Sequence, residues 1–208
     1  MSLTIRNAGA RDLDRIMAVE ESWPEVARAP REKFVARLEK FPDGFLLAEQ
    51  AGHACGTMTS CPFRYDPTDL HRLRSWNEVT NNGYLHDQEG IENYNSLYIV
   101  SGVIAKDARG GDIIERLALA QVDLAGRLGL DYVLAGAVIP GYARYLEKHG
   151  PIAAPEYVML RRGKRLVDPF LEKYRRIGFT VPDKDHVIEE YFPDAQSMNY
   201  AAIVVRAL

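Results

Sequence analysis

The stretch that decides the fold is "SGVIAKDARGGDIIERLALAQVDLAGRLGL", Ser101 to Leu130. It starts with β-branched residues typical of a buried strand, passes through Gly110 and Gly111, and continues with apolar residues at helical spacing. A helix that begins just after two glycines leaves backbone N–H groups unpaired, and a phosphate is the usual anion that such groups bind. Arg109 stands directly before the glycines. We therefore predict a strand, a phosphate-binding turn and a long helix.

Length and composition favour one compact domain over residues 1–208. The chain has 208 residues, of which 47% are apolar, and this is enough for a sizeable core. Its 26 basic and 29 acidic residues give a net charge of −3, so no global field favours nucleic acid or an anionic membrane. The N-terminal residues lack the features of a signal peptide, and no apolar run of 18 residues occurs. We expect a cytoplasmic protein with neither nucleic acid nor membrane as a partner; a homodimer is left open.

Cysteines and histidines give no metal signature. Cys55 and Cys61 are six positions apart, which matches neither zinc nor redox spacing, so reduced structural thiols are predicted. The five histidines are scattered and form no HExxH pattern. No metal site is predicted.

Periodicity predicts the elements before the central stretch. "LTIRNA" alternates like a strand, a helix follows from Asp12, and "PREKFVARLEKF" forms a second helix with Pro30 at its start. Two β-rich runs then meet at Ala51-Gly52-His53, which indicates a hairpin. Residues 62–95 show no sustained period, so we predict a long loop with short local structure that is a candidate substrate wall.

The second half continues the alternation of strands and helices. "NSLYIVSGVIA" and "DYVLAGAVI" predict buried strands on either side of the long helix, and "GYARYLEKHG" predicts a short helix. The segment "PIAAPEYVMLRRGKRLV" has no clear period and is predicted to be irregular. Asp168-Pro169 opens a further helix that ends at Gly178. The last strands are predicted at 179–181, near Val187 and at the C-terminus.

This order of elements resembles the GCN5-related N-acetyltransferase (GNAT) superfamily across nearly the whole chain. The resemblance implies an α/β (α+β) fold with a mixed, mostly antiparallel central sheet of about six to seven strands flanked by helices. It also implies that the strand before the long helix holds the pantetheine arm of acetyl-CoA, and that the motif [Q/R]-x-x-G-x-[G/A] at the helix start binds its pyrophosphate. The residues implied to bind acetyl-CoA are Val103, Ile104, Ala105, Arg109, Gly110, Gly111, Asp112, Ile113 and Ile114.

The turn departs from the superfamily motif at two positions. In the frame that keeps Arg109, the two small residues of the motif are replaced by Asp112 and Ile114, and a side chain there can block the approach of a pyrophosphate. A carboxylate about 5 Å from a phosphate oxygen would cost roughly 3 kcal/mol at an effective dielectric of about 20, and under 1 kcal/mol if solvated. We expect Asp112 to turn away toward the helix N-terminus, while Arg109 or Arg116 faces the phosphates.

The segment "YRRIGF", Tyr174 to Phe179, resembles the ending Y-x-x-x-G-F of a helix in the superfamily. There the tyrosine commonly protonates the departing CoA thiolate, so Tyr174 is the predicted acid. Tyr142 and Tyr145 are rival candidates because "GYARYLEKHG" also follows a strand. The resemblance further implies that a backbone N–H near Val103 polarises the thioester carbonyl.

For the other candidate residues the sequence leaves alternatives open. The general base stays open among Glu78, His86 and Asp87 in the long loop, and a water molecule is an alternative route for the proton. The basic run Arg161 to Arg165 is either a solvated face or a site for an anion. Four aromatic residues are candidates for an acceptor pocket, although core packing explains Tyr98 equally well. They are Trp76, Tyr84, Tyr94 and Tyr98.

The segments "SWNEVTNNG", "GYARYL", "DPFL" and "YFPDAQSMNY" resemble a GNAT subgroup that also occurs fused to carbon–nitrogen hydrolases; no such hydrolase domain fits in this chain. The activity implied is transfer of an acetyl group from acetyl-CoA to a primary amine of a small molecule by direct attack on the thioester. The alternative is a module that keeps the fold and binds CoA without turnover. A dinucleotide-binding turn is disfavoured because G-x-G-x-x-G is absent.

Overall fold

The computed structural model describes residues 3–208 and contains a seven-stranded, mostly antiparallel sheet with flanking helices. The predicted fold class is therefore confirmed. The strands are β1 (Leu3–Asn7), β2 (Phe45–Gln50), β3 (His53–Phe63), β4 (Ser96–Ile104), β5 (Tyr132–Val138), β6 (Arg161–Arg162), β7 (Arg165–Leu166), β8 (Val187–Ile188) and β9 (Ala201–Ala207). The helices are α1 (Leu13–Glu20), α2 (Arg31–Lys40), α3 (Trp76–Thr80), α4 (Ile113–Arg127), α5 (Tyr142–His149), α6 (Ala154–Met159) and α7 (Pro169–Arg176).

The chain divides into two compact units. The first contains residues 3–64, 80–133 and 208, and the second contains residues 65–79 and 134–207. The candidate phosphate turn lies in the first unit, and the candidate tyrosines lie in the second.

In the first unit, β1, β2, β3 and β4 are neighbours in chain order and pair antiparallel. The predicted hairpin joins β2 to β3, and its turn residues Ala51 and Gly52 both have positive φ, as a tight hairpin turn requires. Helices α1 and α2 pack together, and their apolar faces bury Ile16 and Phe34 in one cluster with Phe45 of β2. This packing fixes the α1 and α2 side chains that face the sheet.

Helix α4 packs on β3 and β4. Its buried residues recur at helical spacing, so the amphipathic pattern of the sequence explains how it lies on the sheet. They are Ile113, Leu117, Ala118, Gln121, Val122, Leu124 and Ala125. Gln121 accepts from the Ser60 hydroxyl at 2.7 Å and donates to the Gly44 carbonyl at 2.8 Å, so its buried amide is paired. These bonds fix the middle of α4 against β3 and the segment before β2.

Strand β4 carries a bulge. Thr59 of β3 pairs with Ser101, whereas the next β3 residue, Ser60, pairs with Ile99. Val100 is therefore an extra residue in β4, and it changes which side chains and backbone groups point to each side of the strand.

In the second unit, β9 lies between β5 and β8. Helix α7 begins with the predicted cap, since the Asp168 carboxylate accepts from the backbone N–H groups of Phe170 and Leu171 at 2.9 and 3.0 Å. The helix is followed by Gly178 at φ +88°, which ends it.

Three predictions about elements were wrong in part. The segment predicted to be irregular contains α6, a six-residue helix, and a small hairpin of β6 and β7. Residues 179–181 form only a single bridge, Thr180 to Val205, instead of a strand. The long loop begins later than predicted, because β3 extends to Phe63, whereas the short helix α3 agrees with the short local structure expected within it.

Candidate functional site

The turn before α4 presents a run of unpaired backbone amides. Within the part of the chain that the structure describes, no backbone or side-chain group accepts a hydrogen bond from the N–H groups of residues 109–115. The next amide, that of Arg116, donates to the Asp112 carbonyl at 2.9 Å and starts the helical pattern. Free amides at the N-terminus of a 15-residue helix suit an anion such as a phosphate.

Glycines keep this turn open. Gly110 has φ +98°, a left-handed conformation in which any other residue would be strained. A methyl group added at either Gly110 or Gly111 would meet no other atom within 4 Å. The space above both residues is therefore free for a ligand that approaches the backbone.

The two residues that depart from the superfamily motif point away from this turn. The Asp112 carboxylate makes no capping bond to the helix and instead accepts from Arg116 Nε at 2.9 Å, on the surface. Arg116 lowers the pKa of Asp112. Ile114 packs over β4, since a methyl group added at Gly102 would lie 2.8 Å from its Cδ1 atom. Neither side chain fills the space above the glycines.

Arg109 is anchored to the end of α1. Its Nη2 atom donates to the Ser22 carbonyl at 2.9 Å, and the Ser22 hydroxyl accepts from the Lys106 backbone N–H at 3.1 Å. The Nε and Nη1 groups of Arg109 make no hydrogen bond to residues 3–208. These groups are available to a phosphate, as the motif implies.

The register of β4 with β3 identifies which of its amides point away from β3. The Ala105 N–H donates to Cys55 of β3 at 3.0 Å. Because hydrogen-bonded pairs alternate along an antiparallel ladder, Val103 also bonds to β3, through Thr57. The amides of Gly102 and Ile104 point away from β3, toward the side of β4 on which β5 lies.

Tyr174 lies in the second unit, where its ring packs between Phe170 and Phe179 with centroid distances of 5.5 Å to each. Burial raises the pKa of Tyr174 to about 12. Its hydroxyl makes no hydrogen bond to any group in residues 3–208. A tyrosine that stays protonated and has an uncommitted O–H is suited to donate a proton.

The two rival tyrosines sit in an aromatic cluster formed by Tyr142, Tyr145, Tyr157 and Tyr200. The Tyr142 hydroxyl donates to the Ile152 carbonyl at 2.8 Å, and burial raises its pKa. The Tyr145 ring stacks 4.5 Å from that of His149 and 5.2 Å from that of Tyr157. Tyr142 is committed to a structural bond, whereas Tyr145 remains a candidate.

Tyr157 was not among the residues predicted from the sequence, yet the pKa of its hydroxyl is strongly raised. Its hydroxyl donates to Asp168 Oδ2 at 3.0 Å, and burial together with this carboxylate raises its pKa. The same oxygen accepts from the Gly141 N–H at 3.0 Å. Asp168 thus links the starts of α5 and α7 to α6, and Tyr157 is part of this hydrogen-bond network.

The remaining candidates are spread over the surface or the core. The three residues proposed as bases are exposed, and Asp87 pairs with Lys40 Nζ at 3.0 Å. Of the aromatic candidates in the first unit, Tyr98 is buried against Phe63, and Tyr84 is exposed beneath Lys33. In the second unit the Trp76 ring packs on Phe192.

Cysteines, possible metal ligands and helix lengths complete the description of the chain. Cys55 and Cys61 are buried free thiols, and burial raises the pKa of Cys61 to about 12. Among residues 3–208 there is no group of three His, Cys, Asp or Glu side chains arranged for a metal ion. In the same residues, every helix is too short or too polar to cross a membrane.

We compared the chain with known proteins. The chain is 30% identical over 206 residues to the Bacillus subtilis protein named "Probable hydrolase YhcX", covering 97% of this chain but only 38% of that protein. It is 26% identical over 208 residues to the Bacillus subtilis "Uncharacterized N-acetyltransferase YkwB", covering 98% of this chain and 88% of that one. No family model matches the chain.

Among solved structures, the GNAT-like decarboxylase GphF in complex with isobutyryl-CoA superposes with a TM-score of 0.78. The two are 26% identical, and the match covers 98% of each chain. This protein has the GNAT fold, and the resemblance stated from its sequence is confirmed. The partial match to a longer hydrolase agrees with the subgroup that also occurs as a fusion.

Proposed function

We propose that this protein is an acetyl-CoA-dependent N-acetyltransferase whose acceptor is the primary amine of a small molecule. The observation that carries the proposal is the run of unpaired amides at residues 109–115, above an open glycine turn at the start of α4. The similarity to an N-acetyltransferase over nearly the whole chain, and to a structure that holds an acyl-CoA, supports the same activity.

The turn fits the pyrophosphate of CoA. Gly110 and Gly111 leave room for a close approach to the backbone, and the free N–H groups of Arg109 add a charged donor. Asp112 adds little repulsion because it is exposed and paired with Arg116. In this proposal Val103, Ile104 and Ala105 hold the pantetheine arm, with the outward amides of Gly102 and Ile104 as donors.

Bound acetyl-CoA supplies an activated thioester: the acceptor nitrogen forms a C–N bond as the C–S bond breaks, one proton leaves nitrogen, and one proton reaches sulfur. The protein must therefore donate a hydrogen bond to the carbonyl oxygen and a proton to the sulfur. A preorganised backbone donor such as Ile104 N–H contributes several kcal/mol to such a step. Tyr174 is the proposed proton donor, because its hydroxyl is protonated and uncommitted.

Two measurements test the proposal. Calorimetry with CoA and with acetyl-CoA measures binding at the turn, and absence of heat at millimolar ligand would contradict it. Thiol release from acetyl-CoA with a panel of primary amines measures transfer. Binding without amine-dependent thiol release would instead favour a CoA-binding module without turnover.

A second candidate function is decarboxylation of a carboxyacyl-CoA, which the similarity to the decarboxylase GphF favours. In that reaction the bond to the carboxylate breaks, CO₂ leaves, and the carbon next to the thioester takes up a proton. The same turn and the same β4 amides would serve, because charge develops on the same thioester oxygen. Mass spectrometry of malonyl-CoA after incubation with the protein distinguishes the two, since only a decarboxylase produces acetyl-CoA.

A further inference from the structure

Trp23 is an exposed aromatic residue in the loop between α1 and α2. It is one of the large apolar residues that the first unit leaves open to solvent, at 37% exposure. Its indole makes no hydrogen bond and no ring contact with the described residues. A single exposed apolar side chain is common on a protein surface, so its meaning depends on what surrounds it.

The backbone around Trp23 is held by two arginines. Arg28 donates from Nη2 to the Glu21 carbonyl at 3.0 Å and from Nε to the Trp23 carbonyl at 3.0 Å. The carbonyl between them, that of Ser22, accepts from Arg109 Nη2 at 2.9 Å. The Trp23 N–H donates to the carbonyl of the last residue of α1 at 3.0 Å. Both backbone groups of Trp23 are therefore paired, and the exposed indole is carried by a fixed piece of chain.

This loop meets the phosphate turn and not the middle of β4. Ser22 bonds to the Lys106 N–H and to Arg109, and both of these residues lie after Ile104, the last residue of β4. Consecutive Cα atoms are about 3.8 Å apart, so the indole branches from the chain directly beside the residue that holds Arg109. In the proposed function Arg109 contacts the pyrophosphate. Trp23 thus lies at the pyrophosphate end of the CoA site.

Two parts of CoA adjoin its pyrophosphate. One is the pantetheine arm, which in the proposed function leaves the turn toward Val103 and runs along β4. The other is adenosine, which leaves the pyrophosphate in the opposite direction and carries the only aromatic ring system of CoA. A purine stacks well on an indole, and an indole that is already fixed loses little conformational freedom when it binds.

We propose that Trp23 stacks on the adenine ring of CoA. The inference rests on the proposed function, because it requires CoA at the phosphate turn, and it adds a binding residue in the loop between α1 and α2. The adenosine half then contributes to affinity. A free CoA thioester is therefore a better acyl donor for this protein than the same acyl group on phosphopantetheine alone.

The test is the fluorescence of etheno-CoA, a CoA analogue with a fluorescent adenine, bound to the full chain. Stacking on an indole quenches this emission. Protein is added until the signal is constant, so that variants are compared with the analogue fully bound. Wild type should quench the emission, and Trp23→Ala should leave it close to that of the free analogue. Trp23→Phe decides in the same way if Trp23→Ala does not fold, because phenylalanine is a weak quencher.

Calorimetry with unmodified CoA measures the effect on affinity. Trp23→Ala should raise the Kd of CoA about tenfold, and Trp23→Phe, which keeps an aromatic ring, should raise it less. Phosphopantetheine, which has the arm without adenosine, should bind wild type and Trp23→Ala equally.

Leu208→Ala is the matched control for the loss of an exposed apolar side chain. Leu208 is 51% exposed in the same unit, and its N–H donates to the Asp131 carbonyl at 2.9 Å. Asp131 in turn donates to the carbonyl of Asn95, directly before the first residue of β4, so Leu208 lies near the end of that strand opposite the phosphate turn. The control should bind CoA like wild type, and thermal unfolding checks that each variant folds.

The outcomes separate this inference from the proposed function. Etheno-CoA that binds wild type without quenching, or equal CoA affinity of wild type and Trp23→Ala, overturns the stack and leaves CoA binding at the turn standing. Equal weakening of CoA and phosphopantetheine by Trp23→Ala would assign the indole to the arm and also overturn the inference. Absence of CoA binding to wild type contradicts the proposed function itself, and the inference with it.

Discussion

Arg109 Nη2 donates to the carbonyl oxygen of Ser22 at 2.9 Å, which links the phosphate turn to the end of α1. The residue that the motif assigns to a phosphate thus also fixes the position of the turn. Since Ser22 also accepts from the Lys106 amide, the turn is held at two points. Arg109 still has its Nε and Nη1 groups for a ligand.

Replacing Arg109 should weaken CoA binding. The Arg109→Ala change removes a charge-assisted hydrogen bond to phosphate, which is worth about 1.5–3 kcal/mol, so the Kd for CoA should rise about tenfold or more. Calorimetry with CoA gives the Kd. Arg127→Ala is the matched control, because that arginine is exposed at the far end of α4 and should change the Kd little. Equal affinity of wild type and Arg109→Ala would contradict the assignment.

A second prediction follows from the open space above Gly111. Gly111→Val should leave the free energy of unfolding nearly unchanged, because a Cβ added there meets no protein atom within 4 Å, and should weaken CoA binding by blocking the approach of the pyrophosphate. Gly110→Ala should behave differently and lower stability by about 1 kcal/mol, since its φ is +98°. Urea unfolding and calorimetry on both variants measure the two effects. Unchanged CoA affinity in Gly111→Val would place the ligand elsewhere.

The parts of the site that local sequence determines could be predicted. The glycine turn, the start of α4 and the Asp168 cap each depend on a few consecutive residues, and the structure contains all three. The direction of the β4 amides could not be predicted, because it depends on the bulge at Val100 and on pairing with β3. Helix α6 was missed because six residues with Pro155 near the start show too little periodicity.

The burial of polar residues also could not be predicted from the sequence. Glu20 and Arg37 read as ordinary members of amphipathic helices, where such residues usually face solvent. Only the packing of α1 and α2 on the sheet buries them. The hydrogen bond from Tyr157 to Asp168 could not be predicted for a similar reason, since the two residues are eleven positions apart along the chain.

Tyr174→Phe should lower kcat and leave CoA affinity unchanged. Loss of a general acid typically costs about 10²–10⁴ in rate, and the Tyr174 hydroxyl makes no hydrogen bond within residues 3–208 whose loss would disturb the fold. Steady-state thiol release and calorimetry with CoA separate the two effects. Tyr142→Phe is the contrasting variant: it loses the bond to the Ile152 carbonyl and should be less stable by about 1 kcal/mol. Full turnover in Tyr174→Phe would move the acid role to Tyr145.

The stability of α7 should depend on pH through Glu172. This carboxylate accepts from Arg175 Nε at 2.7 Å, from Arg175 Nη2 at 2.8 Å and from the Leu166 N–H at 3.0 Å. The pKa of Glu172 is lowered from the ordinary 4.5 to about 2, and the hydrogen bonds from Arg175 make the largest contribution to this shift. A lowered pKa means that the ionised group stabilises the folded state fully above pH 4.5 and that this contribution is lost as the pH falls through about 2.

Urea unfolding of wild type and Glu172→Gln between pH 7 and pH 2 measures this effect. Wild type should be more stable by roughly 1 kcal/mol at pH 7, and the two curves should converge between pH 4.5 and about 2. Glu147→Gln, an exposed change on α5, should follow wild type throughout. A constant difference between wild type and Glu172→Gln down to pH 2 would show that Glu172 acts through packing and not through its charge.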